Sequence, residues 1–339
     1  PNFLPAGNVS RPSIVSLMSG VYDAGLELNE REQFWNGAFP TSFAYQMKQL
    51  GYQTIYWYGG NASYGNFNHF GKAQGFDRVE SASIFCGPDA PKTWVGVYDH
   101  IFLENMEQQI KALDTPTFHF IYTTSNHSPY KIEDSLLDYD PATVMPHVGE
   151  DLRSNKTRNK ELATYRYSDK ALFSFVDSMK KAYPDSLFII TGDHSNLFGS
   201  LNNTSLIHRD YTLRDTFCTV ALLQHPDLDS NVIATQKGTH MSLMPTIIEA
   251  IAPKGFEYYS ITPSLFDDQP ETLVTPYQWI TDSLMGDIRS DYGESNQPSA
   301  EPVTQIRPID NHAKEARDWS LLTTWLINHE EKLFSKKDD

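Results

Sequence analysis

Apolar positions along the chain alternate between helical spacing of three or four and short unbroken runs. Ile14, Val15, Leu17 and Met18 predict a helix opening near Ser10, because Pro12 suits a first turn. Phe43, Met47 and Leu50 predict a second helix stopped by Gly51, and Thr54 to Tyr58 reads as a strand closed by Gly59 and Gly60. Residues 61–76 read as a polar, aromatic loop. Met106, Ile110 and Leu113 predict a helix over 101–113, with a strand from Phe118 to Tyr122 after Pro116. A turn-rich acidic segment covers 133–151. Leu162, Tyr165, Leu172, Val176 and Met179 then mark one face of a long helix that stops before Pro184. Leu187 to Ile190 follow as a strand buried on both faces. Beyond a loop over 197–214 come a strand from Phe217 to Leu223 and a helix marked by Met244, Ile247, Ile248 and Ile251, with His240 at its start. This order predicts an α/β fold, a parallel-rich central sheet with helices on both faces. From Ile261 onward Pro263, Pro270, Pro276, Gly293, Pro298 and Pro302 break the chain into loops and short strands. Ala316, Trp319, Leu322 and Leu326 predict a final helix over 312–333. The expected division is a domain over 1–266 and a small C-terminal loop-and-helix subdomain over 267–339.

Charge changes this picture by exclusion. With 27 basic and 43 acidic residues among 339, the formal net charge is −16, so a nucleic-acid footprint is not expected. Any bound anion has to be held by local cations, a metal ion or backbone donors. The two cysteines, Cys86 and Cys218, form neither a C-x-x-C pair nor a zinc-ligand spacing, and Cys218 lies in an apolar run as a small core residue. No run of about 18 apolar residues is present to span a membrane. The abrupt start at Pro1, without a signal peptide, reads as that of a fragment of a longer protein.

Candidate chemistry concentrates at Ser186 to Asn196, SLFIITGDHSN, where a strand ends directly in Gly192, Asp193 and His194. Strand carboxyl ends are where ligands sit in open α/β sheets. An oxygen and a nitrogen side by side suit a borderline divalent ion. On these residues alone a second reading stays open, a Gly turn with Asp193 capping the next segment. Ser10 stands where helix amides favour an anion, and equally where a plain N-cap belongs. His127 follows another strand end, and His240 approaches from a helix start. One scheme joins them: an ion on Asp193 and His194 activates Ser10 as a nucleophile toward phosphorus or sulfur, while His127 and His240 stabilise charged oxygens or protonate the leaving group.

These residues also carry a family likeness. Ser10, Arg11, Pro12, Ser13 and Ile14 with Leu17 and Gly20 resemble the sulfatase signature C-x-P-S-R-x-x-L-x-x-G. Thr124 to Tyr130 (TSNHSPY) resembles the T-x-N-H-x-P-F of lipoteichoic acid synthases, and Thr191 to His194 their Y-G-D-H. Thr239 to Thr246 is similar to the segment V-D-x-x-P-T, and Tyr165 to Asp169 to A-R-Y-x-D. The chain therefore resembles the lipoteichoic acid synthase and sulfatase branch of the alkaline phosphatase superfamily, from about Ser10 to Phe266. The resemblance implies a catalytic domain with Ser10 as nucleophile and one divalent ion, manganese or zinc, on Asp193, His194 and Ser10. It implies His127, His240, Asn126 and Arg11 around the substrate. It further implies a phospholipid head-group donor, a cell-envelope acceptor and an extracytoplasmic domain of a membrane-anchored parent. Three departures accompany it. The synthases use Thr as nucleophile. Their first metal ligand is an acidic residue ending a strand upstream of it, whereas the nine residues before Ser10 include none. Tyr64 to His69 (YGNFNH) stands where F-W-N-R-D is expected, so the substrate stays open among a phosphoglycerol-type group, a phosphoethanolamine-type group and, as alternatives, a sulfate ester or no reaction in a binding domain.

Overall fold

The computed structural model describes residues 2–140, 154–195, 212–229, 233, 236–289, 292–295 and 311–329. Three strands form a parallel sheet in the order β3 (Arg78–Ser81), β2 (Gln53–Tyr58) and β4 (Thr117–Tyr122). β5 (Phe188–Thr191) pairs antiparallel with β6 (Ala221–Gln224), and β1 (Asn2–Leu4) pairs parallel with β7 (Lys237–Thr239). A bridge between Phe3 and Thr219 ties β1 to the segment before β6. Two apolar layers cover this sheet. On one face α4 (Asp99–Lys111) and the 27-residue α5 (Lys156–Ala182) bury Phe102, Met106, Phe175 and Met179 against Ile55 and Trp57. On the other, α1 (Ser10–Ser19), α2 (Phe43–Gln49), α3 (Phe67–Ala73) and α6 (Leu243–Ile251) bury their apolar stripes against Tyr56, Phe118 and Phe120. The expected α/β class, parallel-rich with helices on both faces, is what the chain adopts.

The sheet is interrupted at one place. β4 is bonded to β2 on one edge and β5 to β6 on one edge, and among the described residues no ladder joins β4 to β5. Yet both feed the same two layers: Ile121, Phe188 and Ile190 line one, and Phe118, Phe120 and Ile189 the other. Every residue of both strands is only partly buried. The expectation of a β5 buried on both faces is corrected for this reason: its free edge leaves apolar side chains half-covered.

Other departures are local. Residues 67–73 form α3 rather than continuing a loop, since Phe67 and Phe70 three apart are both buried. Phe217 ends a single helical turn, and the strand begins later, at Ala221. Beyond residue 267 the chain forms an antiparallel sheet in the order β11 (Tyr292–Ser295), β10 (Leu284–Asp287), β9 (Gln278–Ile280) and β8 (Leu273–Val274), followed by α7 (Asn311–Asn328). That helix buries Ala316 and Leu326 and packs Trp319 inward as expected, but Leu322 is exposed and Thr323 takes its place on the inner face. Trp319 Nε1 donates to the Val274 carbonyl at 3.0 Å and Thr323 Oγ1 to the Tyr22 carbonyl at 2.6 Å, pinning α7 to β8 and to the loop after α1. Cys86 and Cys218 are free thiols. Most of the segments expected over 133–151 and 197–214, and the helix end toward Leu333, lie outside the described residues. Among the described residues no helix is long and apolar enough to cross a membrane.

β4 carries one unusual core residue. His119 accepts a hydrogen bond from Trp57 Nε1 at 3.0 Å, and burial, aided by the Arg78 charge, lowers its pKa from 6.5 to about 4. The unfolded chain therefore takes up this proton first as pH falls. The contribution to stability is complete above the unfolded value and is lost as pH falls from about 6.5 toward about 4, by up to roughly 3 kcal/mol. His119→Gln is expected to flatten the acid limb of stability measured by urea unfolding between about pH 7 and pH 4.5. An unchanged limb would assign the sensitivity to other groups.

Candidate active site

Ser10 is the first residue of α1. Val9, not Ser10, occupies the N-cap position, and the Ser10 hydroxyl makes no capping bond. Its Oγ instead lies 3.3 Å from His194 Nε2. The plain-cap reading is thereby replaced by one in which the hydroxyl is directed across the sheet end. His194 Nδ1 lies 2.7 Å from the Ser195 carbonyl, which can only accept, so Nδ1 carries the proton. Nε2 then presents its lone pair to Ser10 when the ring is neutral. Asp193 Oδ1 accepts the His194 amide at 3.0 Å, and its Oδ2 lies 3.6 Å from His194 Nε2.

A fourth group completes the cluster, and sequence reasoning missed it. Tyr122, the last residue of β4, donates its hydroxyl to Asp193 Oδ2 at 3.0 Å and also interacts with the Ser10 side chain. Burial, with Asp193 nearby, raises its pKa well above the ordinary 10, so it stays a donor. The rule that strand carboxyl ends gather at the site would have found it, because Tyr122 closes an apolar run as Thr191 does.

His240 lies elsewhere than expected. It is wholly buried: Nδ1 accepts the Ala6 amide at 3.1 Å and Nε2 donates to the Gly192 carbonyl at 3.0 Å. Burial lowers its pKa to about 4. With both nitrogens bonded inside the protein, the geometry gives this imidazole the place of a structural clasp, where a contact beside a transferred group was expected. It joins the loop leading into Ser10 to the turn leading into Asp193. Gly192 is required there, since a Cβ would meet Thr219 Oγ1 at 2.4 Å.

The remaining candidates stand apart from the cluster. Asn126 and His127 are exposed on the loop after β4, and His127 Nδ1 lies 2.7 Å from the Ser128 carbonyl, leaving Nε2 outward. Arg11 spends its guanidinium on Glu27 at 3.2 Å, Glu30 at 3.3 Å and the Tyr64 hydroxyl at 3.4 Å. Its charge, expected to meet substrate, is thus already matched by two carboxylates. Chemically, the converging oxygen, carboxylate and imidazole lone pair fit a borderline divalent ion. Among the described residues no group of three or more His, Cys, Asp and Glu side chains gathers, so Ser10 would be the third donor.

Comparison with known proteins decides the family. The family described as Sulfatase matches residues 1–252. The chain belongs to the sulfatase family. Lipoteichoic acid synthase 1 of Bacillus subtilis (strain 168) is 23% identical over 255 residues, covering 71% of this chain and 38% of that protein. This sulfatase-family chain therefore matches well under half the length of that relative. Among solved structures, the lipoteichoic acid synthase LtaP from Listeria monocytogenes superposes with a TM-score of 0.76 at 16% identity, covering 97% of this chain and 83% of that one. A protein in the alkaline phosphatase superfamily from Vibrio parahaemolyticus gives 0.69 at 19% identity, covering 98% and 79%. These likenesses establish an alkaline phosphatase-type fold.

The clasp predicts a division of labour between stability and chemistry. His240→Ala leaves a buried amide and carbonyl without partners and should cost about 2–4 kcal/mol in chemical denaturation. Ser10→Ala, with its hydroxyl at a partly exposed helix start, should change stability by less than about 1 kcal/mol. Equal effects would remove the structural role from His240.

Proposed function

We propose that this chain is the catalytic part of a metal-dependent transferase that moves a phosphoglycerol-type or phosphoethanolamine-type group from a phospholipid to a cell-envelope glycan or lipid. The observation that carries the reading is the Ser10 hydroxyl 3.3 Å from His194 Nε2, beside Asp193, at the carboxyl end of the sheet. Asp193, His194 and Ser10 would hold one divalent ion, manganese or zinc. When bound, such an ion lowers the pKa of a neighbouring hydroxyl and offsets charge on phosphoryl oxygens.

The protein's own groups supply the rest. Ser10 Oγ attacks the lipid phosphorus as its proton leaves, and the bond from phosphorus to the diacylglycerol oxygen breaks. The head group remains esterified to Ser10 while diacylglycerol departs with a proton. An acceptor hydroxyl then attacks the same phosphorus, and Ser10 recovers its proton. Tyr122 keeps Asp193 oriented through the 3.0 Å bond. His127, with Nε2 outward, is assigned to the head-group phosphate, and Asn126 accompanies it. Arg11 contributes less than the family likeness suggests, because Glu27 and Glu30 compete for it.

Among the described residues the edges of β4 and β5 away from β2 and β6 carry no ladder, and this supports one further part of the reading. An extended segment lying between them would restore a continuous sheet and end at Tyr122, Asp193 and Ser10. An acidic residue at that end is the upstream ligand expected from the family. The working protein would then sit on the extracytoplasmic face of a membrane, with its donor lipid at hand.

Ligand number makes this testable without turnover. The chain as given should bind manganese or zinc weakly, with Asp193→Ala abolishing what binding there is, in calorimetric titration. Tight one-to-one binding that survives Asp193→Ala would put the ion elsewhere. In the parent protein, Ser10→Ala should reduce diacylglycerol release from a phospholipid donor by at least about 1,000-fold, and undiminished release would refute the assignment of Ser10.

A further inference from the structure

Asp99 opens α4, yet it does not serve its own helix in the usual way. The N-cap position belongs to Tyr98, and Asp99 is only 1% exposed. A carboxylate that merely complements a helix dipole stays near solvent, where that is worth a few tenths of a kcal/mol and burial costs nothing. Here burial raises the pKa of Asp99, so its position is unfavourable unless other bonds offset it. Those bonds run to a different element. Asp99 Oδ1 accepts the Thr124 amide at 3.1 Å and the Ser125 amide at 3.0 Å, and the Asp99 amide donates to Ser125 Oγ at 2.8 Å. The first turn of α4 and the first residues beyond β4 thus hold each other in both directions.

The segment before Asp99 grips the same loop farther along. Trp94 Nε1 donates to the Ser128 carbonyl at 3.0 Å, and the Trp94 ring meets the His127 ring edge-on with centroids 5.2 Å apart. Between the two grips the backbone of residues 93–99 passes against Thr124. A Cβ at Gly96 would meet Thr124 Oγ1 at 2.4 Å and the Gly59 carbonyl at 2.3 Å, so only glycine permits the approach. Asn126 and His127 are therefore suspended between a buried carboxylate behind them and an exposed indole ahead.

We propose that Asp99 is the positioning residue that sets where Asn126 and His127 present themselves to substrate. Through the two amides it fixes the direction in which the chain leaves β4, and that direction carries through the next two residues, Asn126 and His127. The inference rests on the assignment of His127 to the head-group phosphate.

The test is a double-mutant cycle with glycerol 1-phosphate as the probe, its affinity read by calorimetry in the presence of manganese. His127→Ala should weaken binding by about ten-fold and Asp99→Ala by a similar factor, with the double variant little worse than either alone. Asp99→Asn, which keeps an acceptor for both amides, should bind within about three-fold of the wild type. An Asp99 that only stabilised the fold would lower affinity by the same factor whether or not His127 is present, and such additivity overturns the proposal. So does wild-type affinity in Asp99→Ala. Should Asp99→Ala fail to fold, Ser125→Ala, which removes only the return bond, takes its place with about three-fold weaker binding that vanishes in the His127→Ala background. If His127→Ala binds like the wild type, the assignment of His127 itself falls and takes the proposal with it.

Discussion

One neutral imidazole makes the site possible. His240 accepts a hydrogen bond from the Ala6 amide and donates one to the Gly192 carbonyl, so it ties together the chain four residues before Ser10 and the chain one residue before Asp193. The ladders that lead into these two loops are short, three paired residues between β1 and β7 and four between β5 and β6. With a protonated ring the bond to Ala6 would be lost, because both nitrogens would then donate. Burial keeps that form away across neutral pH. The clasp thus helps to hold the two loops that bring Ser10 Oγ within 3.3 Å of His194 Nε2.

Around that clasp the molecule gathers chemistry from separate strand ends. β4 brings Tyr122, β5 brings Asp193 and His194, and the helix start after β1 brings Ser10. The charge of the whole chain, −16, repels any anion that approaches this sheet end. Specific donors have to overcome that field. The helix amides at Ser10 and the Tyr122 hydroxyl are uncharged groups. Arg11, the nearest formal cation by sequence, is held by Glu27 and Glu30. A divalent ion would supply the positive charge that the protein itself withholds.

Much of this could be read in the sequence, and the limits have physical causes. Helical spacing of apolar positions located α1, α2, α4, α5 and α6, and the Gly192, Asp193, His194 run was visible because an apolar run that ends at once in polar residues marks a strand meeting solvent. α3 was hidden because its polar residues outnumber Phe67 and Phe70. β3 was hidden because Arg78 and Glu80 pair with each other on a half-exposed edge. His240 illustrates the harder limit. A histidine before a helix looks the same in sequence whether it faces a ligand or a backbone carbonyl, and only the fold distinguishes them. Tyr122 and Asp99 depend in the same way on partners 71 and 25 residues away.

The central claim is that Ser10 is the group to which a phosphoryl head group becomes attached. The most direct measurement is tandem mass spectrometry of the Ser10 peptide after the parent protein has been exposed to phospholipid donor and quenched in acid. A phosphoglycerol or phosphoethanolamine ester on Ser10, absent from Asp193→Ala, is the predicted result. A Ser10 oxidised to formylglycine would make the protein a sulfatase, and a Ser10 that stays unmodified while diacylglycerol is released would contradict the covalent account altogether.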